Sequence, residues 1–298
     1  MLNIKLRVAS ALMGFAILGT GCGVPAPGSD ITQQASGDPY DVYRAEDTEL
    51  LSYSQMALRV ECLKEQGYPE FEALIGDGPS DQTRQRLSNS VGETLFQDAK
   101  DAAARGFGFP AEADPGSVVV HDPGFDATFV ECNDKAWKAL GAADKTLHSE
   151  YVGLANRLVT ALMNGTGAAV GAATAKIGKC LVDQGKPVTI NANSNWGVDF
   201  EIPLGSASRS EAEAWKPRQT NGVEVRPGHP ATQYVPTAEE SALAVSYYEC
   251  SESSGARQDL GAELLKVKQA AVAKEEAALA ELNPKIEELA KKAANLSA

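Results

Sequence analysis

The chain has 298 residues, enough for one or two ordinary domains with a sizeable core. Apolar residues make up 43% and charged residues 22%, a globular composition rather than a disordered one. Forty acidic against 27 basic side chains give a net charge of −13, which argues against nucleic acid as a partner, and three His with five Cys leave little material for a His/Cys metal site.

Lys5 and Arg7 precede an apolar run over residues 8–18, extended by small residues to Gly21. The run is shorter than the roughly 20 residues of a membrane-spanning helix, so residues 1–21 read as an export signal. The signal ends in Leu18-Gly19-Thr20-Gly21-Cys22, which resembles the lipobox of bacterial lipoproteins. Gly19 stands where that motif usually has Leu, and Leu18 lies one residue further back; Thr20 and Gly21 fit. The resemblance implies cleavage before Cys22, lipid attachment to Cys22 with palmitate among the acyl chains, and a place on the extracytoplasmic face of the cell membrane. The plainer alternative is ordinary secretion, with Cys22 incidental. Each buried CH₂ contributes about 0.8 kcal/mol, so a multiply acylated terminus holds where one chain would not. Residues 22–45 are rich in Pro, Gly, Ser and Gln and read as a tether, with a reach of about 25 Å.

Four Cys remain: Cys62, Cys132, Cys180 and Cys250. Cys180 follows Cys62, and Cys250 follows Cys132, by the same 118 residues. Cys62-Leu63-Lys64-Glu65-Gln66-Gly67 matches Cys180-Leu181-Val182-Asp183-Gln184-Gly185, and Glu131-Cys132 matches Glu249-Cys250. Two anchors at one offset indicate tandem copies of one module, here bounded as 46–164 and 165–298. This duplication is similar to uncharacterised secreted lipoproteins of high-GC Gram-positive bacteria, a resemblance that implies no activity. In an oxidising compartment the four Cys form disulfides, and of three possible pairings the duplication favours Cys62–Cys132 with Cys180–Cys250. A helix break expected at Asn164-Gly165-Thr166-Gly167 disfavours Cys132–Cys180. Straight arms of about 50 and 22 Å would hold those sulfurs apart.

Each copy places its first Cys late in a helix. Asp47 is a candidate N-cap in copy one, and Gly67 and Gly185 are the stops. The second Cys starts a longer helix, with Leu147, Tyr151, Leu154, Leu158 and Leu162 on one stripe in copy one. In copy two, Thr237-Ala238-Glu239-Glu240 is a capping box, and Leu260, Leu264, Val267 and Ala271 carry the stripe. Asn283-Pro284 is expected to restart the last helix. Between the paired Cys lie inserts, residues 68–125 and 186–236. The first predicts a helix over 95–104 and an apolar Val118-Val119-Val120. The second predicts strands at 188–190, 198–204 and 223–225, with a short helix opened by Ser210 and closed at Asn221-Gly222. The tail from Arg257 balances seven bases against seven acids, as a solvated helix does. The expected fold is mainly α with small mixed α/β inserts, as two disulfide-pinned helical copies.

The search for chemistry is mostly negative. His-Glu-x-x-His, Gly-x-Ser-x-Gly, Ser-x-x-Lys and a phosphate-binding glycine loop are all absent from the sequence. His121 and His229 lie in turn-like segments, and His148 lies in a helix stripe beside Glu150. No catalytic, metal-binding or cofactor-binding residue is assigned. Asn191, Asn193, Asn195, Asp199 and Glu201 alternate as calcium ligands do, but Trp196 and Ile202 occupy positions where an EF-hand needs Gly and Glu. An Asn-rich turn explains them as well. Trp196, Trp215, Tyr234, Tyr247 and Tyr248 could stack on a sugar or peptide, or fill a small core. The expectation is a lipid-anchored, non-catalytic accessory module beside an envelope protein complex. A ligand-binding lipoprotein serving a transporter and an envelope hydrolase are the alternatives.

Overall fold

The computed structural model describes residues 37–76, 78–89, 95–108, 117–141, 145–207, 218–220, 222–226 and 234–296. The export signal, Cys22, most of the tether, Trp215, His229 and the helix start at Ser210 lie outside the described residues. In chain order come a 3₁₀ turn Pro39–Val42, α1 (Ala45–Glu65), a second 3₁₀ turn Pro69–Leu74, α2 (Gln82–Asn89), α3 (Ala99–Arg105) and β1 (Ser117–Val120). Next are α4 (Phe125–Ala139), α5 (Thr146–Asp183), β2 (Val188–Ile190), β3 (Val198–Phe200), β4 (Ser206–Ala207) and β5 (Arg218–Thr220). The last are β6 (Val223–Arg226), β7 (Tyr234–Val235), α6 (Ala238–Ser253) and α7 (Ala256–Leu296). Among the described residues helix makes up about 70% and the strands are small pieces, so the fold is mainly α.

Both expected disulfides are present. Cys62–Cys132 joins α1 to α4 and Cys180–Cys250 joins α5 to α6, with Cα atoms 5.5 and 5.7 Å apart and 70 residues between partners in each. Gly67 and Gly185 end their helices as expected, at φ +97° and +69°, a left-handed conformation that glycine adopts without steric cost.

The centre of the fold is the pair α5 and α7, 38 and 41 residues long. The contacts Tyr151 to Asn283, Arg157 to Glu275 and Lys176 to Asp259 rise along one helix and fall along the other, so the two run antiparallel. Leu154, Leu158 and Leu162 are fully buried in the same cluster as Leu282, Ile286 and Leu289. Each such side chain contributes about 1.5–3 kcal/mol.

Two expected helix breaks do not occur. Helix α5 continues through Asn164-Gly165-Thr166-Gly167. Gly165 serves close approach instead: a Cβ there would lie 2.7 Å from Val267 Cγ1. The chain breaks earlier, at Gly141, whose φ is +78°. Helix α7 also continues through Pro284. Proline lacks the N–H that would reach the Ala280 carbonyl, a cost of about 3 kcal/mol in a helix interior. Burial of Leu279, Leu282, Ile286 and Leu289 on either side offsets it. Asp47 is not the cap of α1, which starts at Ala45. Helix α3 starts at Ala99 behind an Asp98 cap, later than expected. Residues 218–220, expected to end a helix, form β5 instead.

The boundary at 164/165 falls inside one continuous helix, so the copies are not separate packing units. They are also interleaved. β1 of the first insert pairs antiparallel with β6 of the second, Val118 opposite Val225 and Val120 opposite Val223, in the order β1-β6-β5. Phe96 and Phe107 of the first insert are buried among Trp196, Leu243 and Tyr247 of the second copy.

The tether is also shorter than expected. Tyr40 and Tyr43 are each 3% exposed and belong to the core with Tyr151 and Leu158. Two aromatic side chains bury more apolar surface than their Pro- and Ser-rich surroundings suggest, and this draws the chain onto α5 and α7 from Asp38 onward.

Candidate functional site

Residues 38–44 form a strap tied down by long-range contacts. Asp38 caps the first 3₁₀ turn through the Tyr40 amide and forms an ion pair with Lys268 of α7, whose side chain is 10% exposed. The Lys268 ammonium also lies 5.0 Å from the centre of the Tyr40 ring, and the Tyr40 hydroxyl donates to the Leu158 carbonyl at 2.7 Å. Tyr43 stacks on Tyr151 with ring centres 4.4 Å apart. The Tyr151 hydroxyl accepts from the Arg44 amide and donates to Asn283 Oδ1, while Asn283 Nδ2 donates to the Val42 carbonyl. Burial, with Asp38 adding to it, raises the Tyr40 phenol to about 12; burial raises Tyr151 to about 12 as well.

Beside the strap opens a cleft of about 400 Å³, lined by Asp38, Asp41, Arg44, Glu46, Arg84 and Ser88 among others. Most of its charges are matched within the protein. Arg44 pairs with Asp47 and Glu287, and Arg84 pairs with Glu46. The lining contributes no His or Cys, and a small polar molecule would have to compete with these pairs.

The second ordered polar cluster centres on Glu240, fully buried at the start of α6. Its Oε1 accepts from the Phe107 amide at 2.7 Å and Oε2 from the Gly205 amide at 2.6 Å, and the Tyr234 hydroxyl lies 2.9 Å from both. A buried carboxylate is tolerated when its lone pairs are met in this way. Gly106 is at φ +60°, and a Cβ there would stand 2.6 Å from Glu240 Oε1. Glu240 thus fastens segments of both inserts to one helix. The sequence marked it only as a capping-box residue, and Thr237 does accept from its amide.

Of the aromatic residues of copy two, Trp196 and Tyr247 form core rather than a platform. Trp196 stacks on Phe96 at 5.4 Å, packs edge-on to Phe107 and Tyr247, and is 6% exposed. Tyr247 is fully buried and Tyr248 is half-buried with the Arg257 guanidinium over its ring. Asn191, just past the end of β2, reaches across to Asp199 of β3, where its Nδ2 donates to both carboxylate oxygens, and Glu201 accepts from Thr189. The side-chain oxygens of Asn191, Asp199 and Glu201, three of the five residues weighed for calcium, thereby take hydrogen bonds within the hairpin. Among the described residues no group of three His, Cys, Asp or Glu is placed to hold a metal ion.

His121 is exposed, 3.9 Å from Glu224. His148 is half-buried, with Nε2 3.0 Å from Ser52 Oγ and its ring 5.0 Å from that of Trp137. Burial pushes His148 below the usual range, against the opposing pull of a Thr48 backbone hydrogen bond and Glu49.

Two further clefts, of about 330 and 370 Å³, follow the α5–α7 groove over Ala161, Gly165, Ala168 and Ala172. Among the described residues α5 alone is long and apolar enough to cross a membrane, yet its Leu154, Leu158, Ile177 and Leu181 are fully buried in protein. No family model, curated protein or solved structure matches this chain.

Proposed function

We propose that this protein is a lipid-anchored extracytoplasmic lipoprotein that serves as a non-catalytic interaction or accessory module of the cell envelope, beside a membrane protein complex. The observation that carries the reading is the pair of disulfides behind a lipobox-like export signal. Paired bridges closing 70-residue loops belong to an oxidising compartment. Further support comes from the ordered polar clusters. The hydrogen bonds of Glu240 and of the Tyr43–Tyr151 strap hold segments together rather than present a nucleophile beside a base.

Expression in a bacterium that processes lipoproteins tests the anchor. The expected result is a membrane-fraction protein whose N-terminal peptide begins at an acylated Cys22, and a Cys22→Ala variant found in the soluble fraction. An unmodified Cys22, or a Cys22→Ala variant that stays with the membrane, overturns it. Cross-linking of the anchored form that reproducibly recovers one membrane complex supports the accessory role. The cleft of about 400 Å³ favours ligand binding as the second reading. A rise in melting temperature with a sugar, a peptide or Ca²⁺ would put that reading first.

A further inference from the structure

The duplication sets two equivalent faces side by side. A shift of 118 residues carries Arg59 onto Ile177, Phe125 onto Leu243, Phe129 onto Tyr247 and Val130 onto Tyr248. In copy two Ile177, Leu243 and Tyr247 are buried. Their cover comes from elsewhere in the chain: Phe96 and Phe107 of the first insert set their rings 6.0 and 5.8 Å from that of Tyr247. Copy one has no such cover among the described residues. Tyr68 and Phe71 pack against Phe125, while Phe129 meets Phe125 and the Arg59 guanidinium, 4.8 Å from its ring centre. Phe125 and Phe129 are half-buried, and Val130 is 57% exposed.

Polar groups show the same contrast. Among the described residues, the buried side-chain atoms that lack a hydrogen-bond partner are Arg59 Nε and Glu70 Oε2, both in copy one. Their counterparts in copy two, Ile177 and Val188, are apolar and buried in the cluster that holds Phe96 and Phe107. Burial pushes the Arg59 guanidinium below its usual range, and no carboxylate stands against that effect. Arg44, Arg84 and Arg157, by contrast, each meet a carboxylate. A buried donor left unmet carries its full desolvation cost, so folded proteins keep few of them. We propose that the Arg59–Phe129 face is a docking surface for a partner's peptide segment. The segment lays an aromatic side chain against Phe129 and Val130, as Phe96 and Phe107 lie against Tyr247, and sets a carboxylate on Arg59. Arginine beside aromatic rings is the usual make-up of an interface anchor, and a carboxylate matches the guanidinium fork. This deepens the reading of the protein as an interaction module but does not need the lipid. An unmodified Cys22 overturns the anchor and leaves this face as it is.

Selection of a phage-displayed random peptide library on the immobilised full chain tests the face. The expected peptides carry Phe, Tyr or Trp within about one helical turn of Asp or Glu. Their synthetic forms should lose roughly tenfold or more in affinity for Arg59→Gln and for Val130→Asp, and nothing for Arg157→Gln. A selection that enriches nothing, peptides without an acidic residue, or peptides that bind Arg59→Gln as well as the wild type each overturn the proposal. Thermal melting of the chain alone gives a separate answer. Arg59→Met keeps an apolar stem over Phe129 and removes the unmet charge, so its melting temperature should equal or exceed that of the wild type. A clear fall would make Arg59 a structural cover for Phe129 and overturn the docking role.

Discussion

The two disulfides close loops of equal length between equivalent helices, yet their surroundings are unlike. Around Cys62–Cys132 the buried cluster, among the described residues, is Val60, Cys62, Leu63, Phe71 and Cys132. Tyr68, Phe125 and Phe129 cover it only in part, and Arg59, over the Phe129 ring, has an Nε without a hydrogen-bond partner among the described residues. Around Cys180–Cys250 the cluster holds fifteen buried residues among those described, with Phe96, Phe107, Trp196 and Tyr247 in mutual ring contact. The first insert causes the imbalance, because it lends Phe96 and Phe107 to the second bridge. Duplication reproduced the staple and the helix ends, but not the division of apolar surface.

Four measurements can break or sharpen that contrast. Replacing both Cys62 and Cys132 by Ser should cost about 4 kcal/mol in denaturant unfolding, since a long loop regains its chain entropy. Protease should then cut first within residues 68–75 and 117–130. The same change at Cys180 and Cys250 should cost a similar amount without such local cleavage, because the aromatic cluster persists. Equal susceptibility of both regions would show that the cores are not unequal after all. Phe107→Ala should cost about 3 kcal/mol, and Phe71→Ala clearly less, because its neighbours can collapse toward solvent. Third comes a pair of carboxylates at equivalent positions, 118 residues apart. Glu240→Gln turns an amide toward the Phe107 and Gly205 donors and should cost about 2 kcal/mol. Exposed Asp122, which accepts from Tyr68 and Gly124, should tolerate Asn with no measurable change in melting temperature.

The fourth is read as phenolate absorbance during an alkaline titration. Tyr234 of the second region should ionise only near 12, held up by burial and then by Glu240. Tyr247 should ionise later still, through burial. Tyr68 of the first region, raised chiefly by its bond to Asp122, should come earlier. Unfolded phenols ionise near 10, so stability should fall as pH climbs from about 10 toward 12. If all tyrosines ionised together near 10, the buried second region would be wrong.

The sequence displayed the bridges because cysteine spacing and flanking residues repeat, and the helices because apolar stripes are periodic. Gly141 and Gly165 look alike as letters. One supplies a left-handed turn and the other a close helix contact, and only the packing partner, Val267, distinguishes them. Tyr40 and Tyr43 escaped notice because their partners on α5 and α7 lie more than a hundred residues away. The Glu240 cluster was hidden because its donors come from three separate segments, Phe107 after α3, Gly205 before β4 and Tyr234 in β7, and only the first lies far off along the chain. Local pattern reports local structure, and both polar clusters are products of chain crossing.

The strap has a consequence for assembly. Asp38 waits for Lys268 and Val42 for Asn283, residues 230 and 241 positions later, so a segment made among the earliest finds its seat among the last. Contacts so distant along the chain are slow to form. The Cys62–Cys132 bridge, whose buried neighbours Val60, Leu63 and Phe71 all precede Cys132, can close before α7 is made, whereas the strap stays open to proteases until α7 arrives to receive it.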